Sequence, residues 1–180
     1  GSDARMSGSV LPVVINSGSG NQGITVSMPV IVYAQHLGAS RERLIRALII
    51  SNLVAIHQKS KVGRLSAYCG AVSAAAGSGA AIAWLDGASH ELIELTISNT
   101  LANVSGILCD GAKPSCAAKI ASAVEAALVG YSLAKKQRSF QPGDGIVKGE
   151  LEETISAVGV IASKGMLQTD DEIIRIMISE

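Results

Sequence analysis

The sequence predicts a mainly α, single compact multi-helix domain over residues 1–180, with a short extended segment and a Gly-rich loop near the N-terminus. Three observations predict it. Hydrophobic residues make up 48% of the 180 and charged residues 17%, enough apolar mass for one buried core. That mass is Ala, Val, Ile and Leu with 19 Gly and only 3% aromatics, the mixture of closely approaching helices rather than of an aromatic-filled sandwich. From residue 40 onward apolar residues recur at helical spacing, with no internal repeat and no linker long enough to divide the chain.

The elements follow in order. Residues 10–16 form a β-branched run, read as a strand or a buried extended entry, before the Gly/Ser loop 17–23. A helix is expected over 24–37, with Pro29 in its first turn or kinking it. Ser40 is placed to cap a helix over 41–57, with Ile45, Ile49, Leu53 and Ile56 on the core face and Arg41, Arg43 and Arg46 in solvent. The next helix spans 64–85, broken or bent near Gly77-Ser78-Gly79. Ile93, Ile97, Leu101 and Val104 mark a helix from about Ser89. Pro114 suits the first position of a helix to about Lys136, with Ile120, Val124, Leu128 and Tyr131 as its stripe. Val147, Leu151, Ile155 and Val158 mark a helix over 146–164, and Thr169 to Glu172 reads as a capping box opening the last one.

Fifteen Lys+Arg balance fifteen Asp+Glu. Duplex nucleic-acid binding normally shows a basic excess, and single-strand binding an aromatic platform; neither is present. Residues 65–85 carry no charge, but Gly and Ser interrupt the run, which suits the central helix of a bundle better than a membrane span. Three cysteines do not make a secreted disulfide scaffold, and no signal-peptide pattern opens the chain, so a cytoplasmic protein is expected.

Gly18, Gly20 and Gly23 satisfy G-x-G-x-x-G after a strand-like run and before a helix, but the βαβ alternation of a dinucleotide domain is missing. The physics of such a loop remains: exposed backbone N–H groups at a helix N-terminus favour a small anion, a carboxylate as well as a phosphate. Asn16, Ser17, Gly18, Ser19, Gly20, Asn21, Gln22 and Gly23 are therefore candidate substrate-binding residues; a plain packing turn is the competing reading.

Cys69, Cys109 and Cys116 each read alone as small buried hydrophobes. Their settings suggest more: Cys69 follows a basic stretch, and Cys116 falls in a first helical turn, where the dipole favours a thiolate. The spacing suits zinc poorly, and His36, His57 and His90 look like ordinary helix residues. Three thiolates without a fourth ligand suit a [4Fe–4S] cluster with one iron open to substrate.

The stretches Ser-Asp-Ala-Arg-Met (2–6), Asn-Ser-Gly-Ser-Gly-Asn-Gln-Gly (16–23), His-Gln-Lys-Ser-Lys-Val-Gly-Arg-Leu-Ser-Ala-Tyr-Cys-Gly (57–70) and Cys-Asp-Gly-Ala-Lys-Pro-Ser-Cys-Ala-Ala-Lys (109–119) resemble the L-cysteine desulfidase family, within the iron–sulfur L-serine dehydratase alpha-chain superfamily. The resemblance implies β-elimination without pyridoxal phosphate, from L-cysteine or L-serine, at a [4Fe–4S] cluster held by Cys69, Cys109 and Cys116. It also implies that these residues match only the C-terminal half of a longer protein, whose N-terminal half would be a partner; the catalytic cysteine that desulfidases carry near their N-terminus has no counterpart here. Lys59, Ser66 and Lys113 flank the inferred site as candidates for binding the carboxylate or orienting the cluster, with the base unassigned. A homo-oligomer is left open. The rival readings are a non-catalytic carboxylate-binding domain and a structural half that packs against the missing one.

Overall fold

Residues 1–179 are described by a computed structural model, and every regular element among them is helical. In chain order these are α1 (Ser2–Met6), α2 (Gly20–His36), α3 (Arg41–Val62), α4 (Gly70–Leu85), α5 (His90–Val104), α6 (Cys116–Lys135), α7 (Leu151–Val160) and α8 (Leu167–Ile178). A π-helical turn, Ile161–Gly165, joins α7 to α8.

α4 is the axle of the molecule. It touches α2, α3, α5 and α6, and every one of its residues except Trp84 is buried. A helix made of Ala, Gly and Ser takes this place because small residues let neighbouring backbones approach. Gly77 faces the Ser51 carbonyl and Ala55 of α3, and a Cβ on Gly79 would stand 2.8 Å from the Ala127 methyl of α6. One buried methyl contributes only about 0.8 kcal/mol, so such a core gains from the number and closeness of its contacts. Larger side chains fill the ends: Val62, Tyr68, Ile97, Leu101, Ile155 and Val158 cluster around Val72 and Ala76.

Two of the surrounding helices are capped by serine, α3 as its sequence predicts. Ser40 accepts a hydrogen bond from the Arg43 amide and Ser89 one from the Leu92 amide, both at 3.3 Å. Gly63 and Gly87, with φ of +91° and +82°, turn the chain out of α3 and α4.

Several expectations are corrected. Residues 10–15 are neither a strand nor buried, for Val10, Leu11, Val14 and Ile15 are exposed and no partner strand exists among the described residues; only Asn16, at the end of the run, is buried. α2 begins four residues early, at Gly20, so half of the supposed loop is helical and Pro29 lies well inside the helix. On α3 the stripe Ile45, Ile49, Leu53 and Ile56 faces outward, while Ala47, Ser51, Ala55 and Gln58 face the core. The close approach of α4 favours small residues at the contact itself, Ser51 and Ala55 facing Gly77. α4 starts at Gly70 rather than 64 and runs unbroken through Gly77 and Gly79. Pro114 precedes α6 instead of opening it, Leu128 is exposed, and Thr169 lies inside α8 and forms no cap. The stripe of α5 is buried or half-buried as expected, as are Leu151, Ile155 and Val158 of α7, but the helix expected over 146–164 starts only at Leu151 and leaves Val147 buried in the loop before it.

α6, at 20 residues, is long and apolar enough to cross a membrane by length and composition. Its alanine face is packed on α4 and α5.

Candidate functional site

Two distant loops bring the first pair of cysteines together. The segments before α4 and after α5 form a short antiparallel pairing centred on Tyr68 and Leu108. The Cys69 amide donates to the Ile107 carbonyl at 3.0 Å, and the Cys109 amide to the Ala67 carbonyl at 2.6 Å. Side chains alternate across such a ladder, so Cys69 and Cys109 both point away from the face that Tyr68 and Leu108 share. A separation of forty residues in sequence thus becomes a diagonal neighbour pair. The chain then turns through 110–115 and opens α6 with Cys116, whose Sγ lies 3.4 Å from the Lys113 amide and 3.5 Å from the Gly111 carbonyl.

All three cysteines line one cavity of about 70 Å³, together with Ser19, Asn21 and Gln22 of the α2 start, Gly70, and Lys119 of α6. Three helix N-termini therefore face one space: Ser19 and Cys69 stand at the cap positions of α2 and α4, and Cys116 is the first residue of α6. Unpaired N–H groups and helix dipoles make this a region of positive potential suited to thiolates and small anions. Burial pushes the Cys69 thiol above its ordinary pKa, and a negative charge on Cys109 or Cys116 would push it further. Lys119 offsets part of this; burial opposes its charge, but its bond to Asp110 prevails, and its Nζ also donates to the Leu108 carbonyl at 3.0 Å. The same bond holds the Asp110 carboxyl below its usual range.

The other predicted residues divide. Asn16 is buried against α3, donating from Nδ2 to Asn52 Oδ1 at 2.9 Å, and Ser17 donates to Asn16 Oδ1 at 2.7 Å. Ser17 and Gly18, with φ of +50° and +88°, make the turn that feeds α2. Gly23 lies beneath the Val14 carbonyl, which leaves no room for a Cβ. Of the eight candidates Ser19, Asn21 and Gln22 line the cysteine cavity, the Asn21 side chain being held by Arg5 and Met6 of α1.

Lys59 lines a neighbouring groove with Ser17 and Arg64. Burial lowers its pKa, opposed by the nearby Cys109, Cys69 and Asp170. Ser66 is brought elsewhere: its hydroxyl donates to the Ala162 carbonyl at 2.7 Å and accepts from the Tyr68 amide at 3.0 Å. Lys113 sits exposed on the 110–115 turn. His57 pairs with Glu152 at 2.9 Å and His90 with Glu94 at 3.6 Å, neither lining the cysteine cavity.

Sequence reasoning missed Lys119, Asp110 and Arg5 as parts of the site. Arg5 lies over Gly20 and donates to Asn21 Oδ1 at 2.9 Å, which adds a cation beside the α2 N-terminus. Arg5 and Lys119 both fall within the stretches that carry the family resemblance.

Among the described residues, no three His, Cys, Asp or Glu side chains converge tightly enough to hold a single metal ion. A cluster asks for something different. Its ligands bind separate irons, so they must line a common cavity without meeting at a point. Three thiols around one electropositive cavity fit that requirement.

The profile of the serine dehydratase alpha chain matches residues 1–175. A UPF0597 protein of Lachnoclostridium phytofermentans is 62% identical over 179 residues, covering 99% of this chain and 43% of its own length. One from Treponema denticola is 57% identical over 179 residues, 99% of this chain and 42% of its own. A UPF0597 protein of Bacteroides fragilis is 45% identical over 175 residues, 97% of this chain and 41% of its own. The chain thus spans less than half the length of these curated relatives. No solved structure matches it.

Proposed function

The chain belongs to the serine dehydratase alpha chain family, and from that premise we propose that its cysteine cavity is the cluster-binding part of an amino-acid β-eliminating lyase. The reaction is L-cysteine to pyruvate, ammonia and sulfide, or L-serine to pyruvate and ammonia, without pyridoxal phosphate. One observation carries the reading: Cys69, Cys109 and Cys116 line a single cavity with the N-terminal turn of α2. A [4Fe–4S] cluster bound to those thiolates supplies a Lewis-acidic iron for the substrate's β-sulfur or β-oxygen.

The chain's own residues do the rest. The first N–H groups of α2 and the Ser19 hydroxyl, which forms no cap bond, hold the substrate carboxylate. Lys119 and Arg5 add positive charge around it. Elimination removes the Cα proton, moves that electron pair into a Cα–Cβ double bond and sends the Cβ–S or Cβ–O pair out with the leaving group. The aminoacrylate product then takes up water and loses ammonia to give pyruvate. A base must stand about 3 Å from the Cα proton. Lys59, Ser66 and Lys113 all lie outside the lining of the cysteine cavity, so none of them is assigned as that base. The cytoplasm, where thiols stay reduced, suits this chemistry.

Anaerobic reconstitution of the chain with ferrous iron and sulfide is the test. The expected result is sulfide-to-iron absorbance with about four irons per chain, lost in Cys109→Ser and Cys116→Ser. A Cys109→Ser variant that takes up the same cluster overturns the ligand assignment. A loaded full-length relative that turns over neither L-cysteine nor L-serine overturns the lyase and leaves a non-catalytic carboxylate-binding or structural domain.

A further inference from the structure

The ring of helices around α4 has one gap. α2 adjoins α3, α3 adjoins α7, α7 adjoins α5 and α5 adjoins α6, but α6 and α2 hardly touch. Between them runs a groove of about 530 Å³. Ile82 of α4 is its floor; Ile24, Met28 and Val32 of α2 form one wall and Ile120, Val124 and Leu128 of α6 the other. Both walls repeat every four residues, so each presents a straight apolar ridge along its helix. Val32 is 58% exposed, Met28 46% and Leu128 42%. Two parallel ridges flanking an apolar floor form the groove that receives the apolar face of a further helix.

We propose that this groove is filled by a helix from the part of the family protein that lies outside these residues, and that this helix completes the ring around α4. The relatives carry more than half their length beyond the matched segment, so the chain needed to fill the slot exists. A second copy is the weaker occupant. The apolar ridges this chain could offer are the outward stripe of α3, Ile45, Ile49, Leu53 and Ile56, and the exposed Ile174 and Ile178 of α8. Seating either in another copy's groove is a heterologous contact that propagates unless its rotation closes a ring. The groove also ends where the site begins, because Ile120 lines both the groove and the cysteine cavity. At that end Gly1 already packs on Ile24 and α1 touches α6, so a helix seated in the groove would meet α1 beside the site. The proposal rests on family membership and the groove, and stands whether or not a cluster is bound.

The test places a benzophenone amino acid, in the full-length Lachnoclostridium relative, at the positions matching Val32 and Leu128. Irradiation is expected to link each probe to a peptide of the same chain outside the matched segment, identified by mass spectrometry after digestion. Links between two chains, links only to peptides within the matched segment, or no links at all overturn the proposal. Leu128→Lys supplies a second readout. It is expected to leave the melting curve of the short chain unchanged while speeding proteolysis of the full-length relative about tenfold. An equal response in both proteins overturns the proposal as well.

Discussion

Gly70, the first residue of α4, has the Gln22 amide lying where a Cβ would stand, whereas Gly77, two turns on, has the Ser51 carbonyl there. The two obstacles differ in stiffness. Gln22 is the free end of a flexible side chain, and the Ser51 carbonyl is helix backbone. Gly70→Ala is therefore expected to keep the melting temperature and to push the Gln22 amide further across the cysteine cavity it lines, lowering cluster uptake. Gly77→Ala must push α3 away from α4 and is expected to cost about 1–3 kcal/mol in urea unfolding, with cluster uptake per folded chain preserved. Side-chain chemistry was legible in the sequence where it resided in residue type: the thiols and the α2 start were singled out, and the structure places them around one cavity. The parts of the site that depend on long-range placement were not. Nothing local to Arg5 shows that it will lie over Gly20, and nothing local to Lys119 that it will bridge Asp110 and the Leu108 carbonyl.

Among the helices, α3 and α6 follow a rule that hydrophobic periodicity misses. Where each meets α4 the contact is made by small residues, Ala47, Ser51 and Ala55 on α3 and Ala123 and Ala127 on α6, while Ile45, Ile49, Leu53 and Ile56 of α3 and Leu128 of α6 stand outside. Helix existence was legible from spacing; which face turns inward was not, because contact distance to α4 outranks hydrophobicity. At its far end α4 is tied down by charge. Asp86 accepts from Tyr131 Oη at 2.6 Å, from Lys135 Nζ at 2.8 Å and, at 3.4 Å, from Tyr33 Oη, joining α2, α4 and α6. The Lys135 and Tyr131 bonds hold the Asp86 carboxyl below its ordinary 3.8. A depressed carboxylate stabilises the folded state above its ordinary value, and that contribution is lost as pH falls through the folded one. The stability gap between wild type and Asp86→Asn is thus expected to be full at neutral pH and to shrink below about pH 4. Tyr131→Phe is expected to cost about 1–2 kcal/mol at pH 7, measured by urea unfolding.

For the molecule as a whole, the charge-free run at 65–85 was legible as a central helix, and α4 holds that position with its neighbours arranged around it. Its true start was hidden, because the backbone pairing of Tyr68 with Leu108 draws residues 64–69 out of the helix they were expected to begin. That pairing has a further consequence. The Cys69 and Cys109 amides are the hydrogen-bond donors of the ladder that aligns their own sulfurs. Anything that grips both thiols also clamps the two N–H groups against opening, since a ligand that binds only the closed form stabilises it. Deuterium uptake at these two amides is expected to slow at least tenfold on iron–sulfide loading, while the interior of α4 stays unchanged; equal uptake in the two states contradicts it. The backbone thereby doubles as an occupancy gauge, readable without colour or turnover.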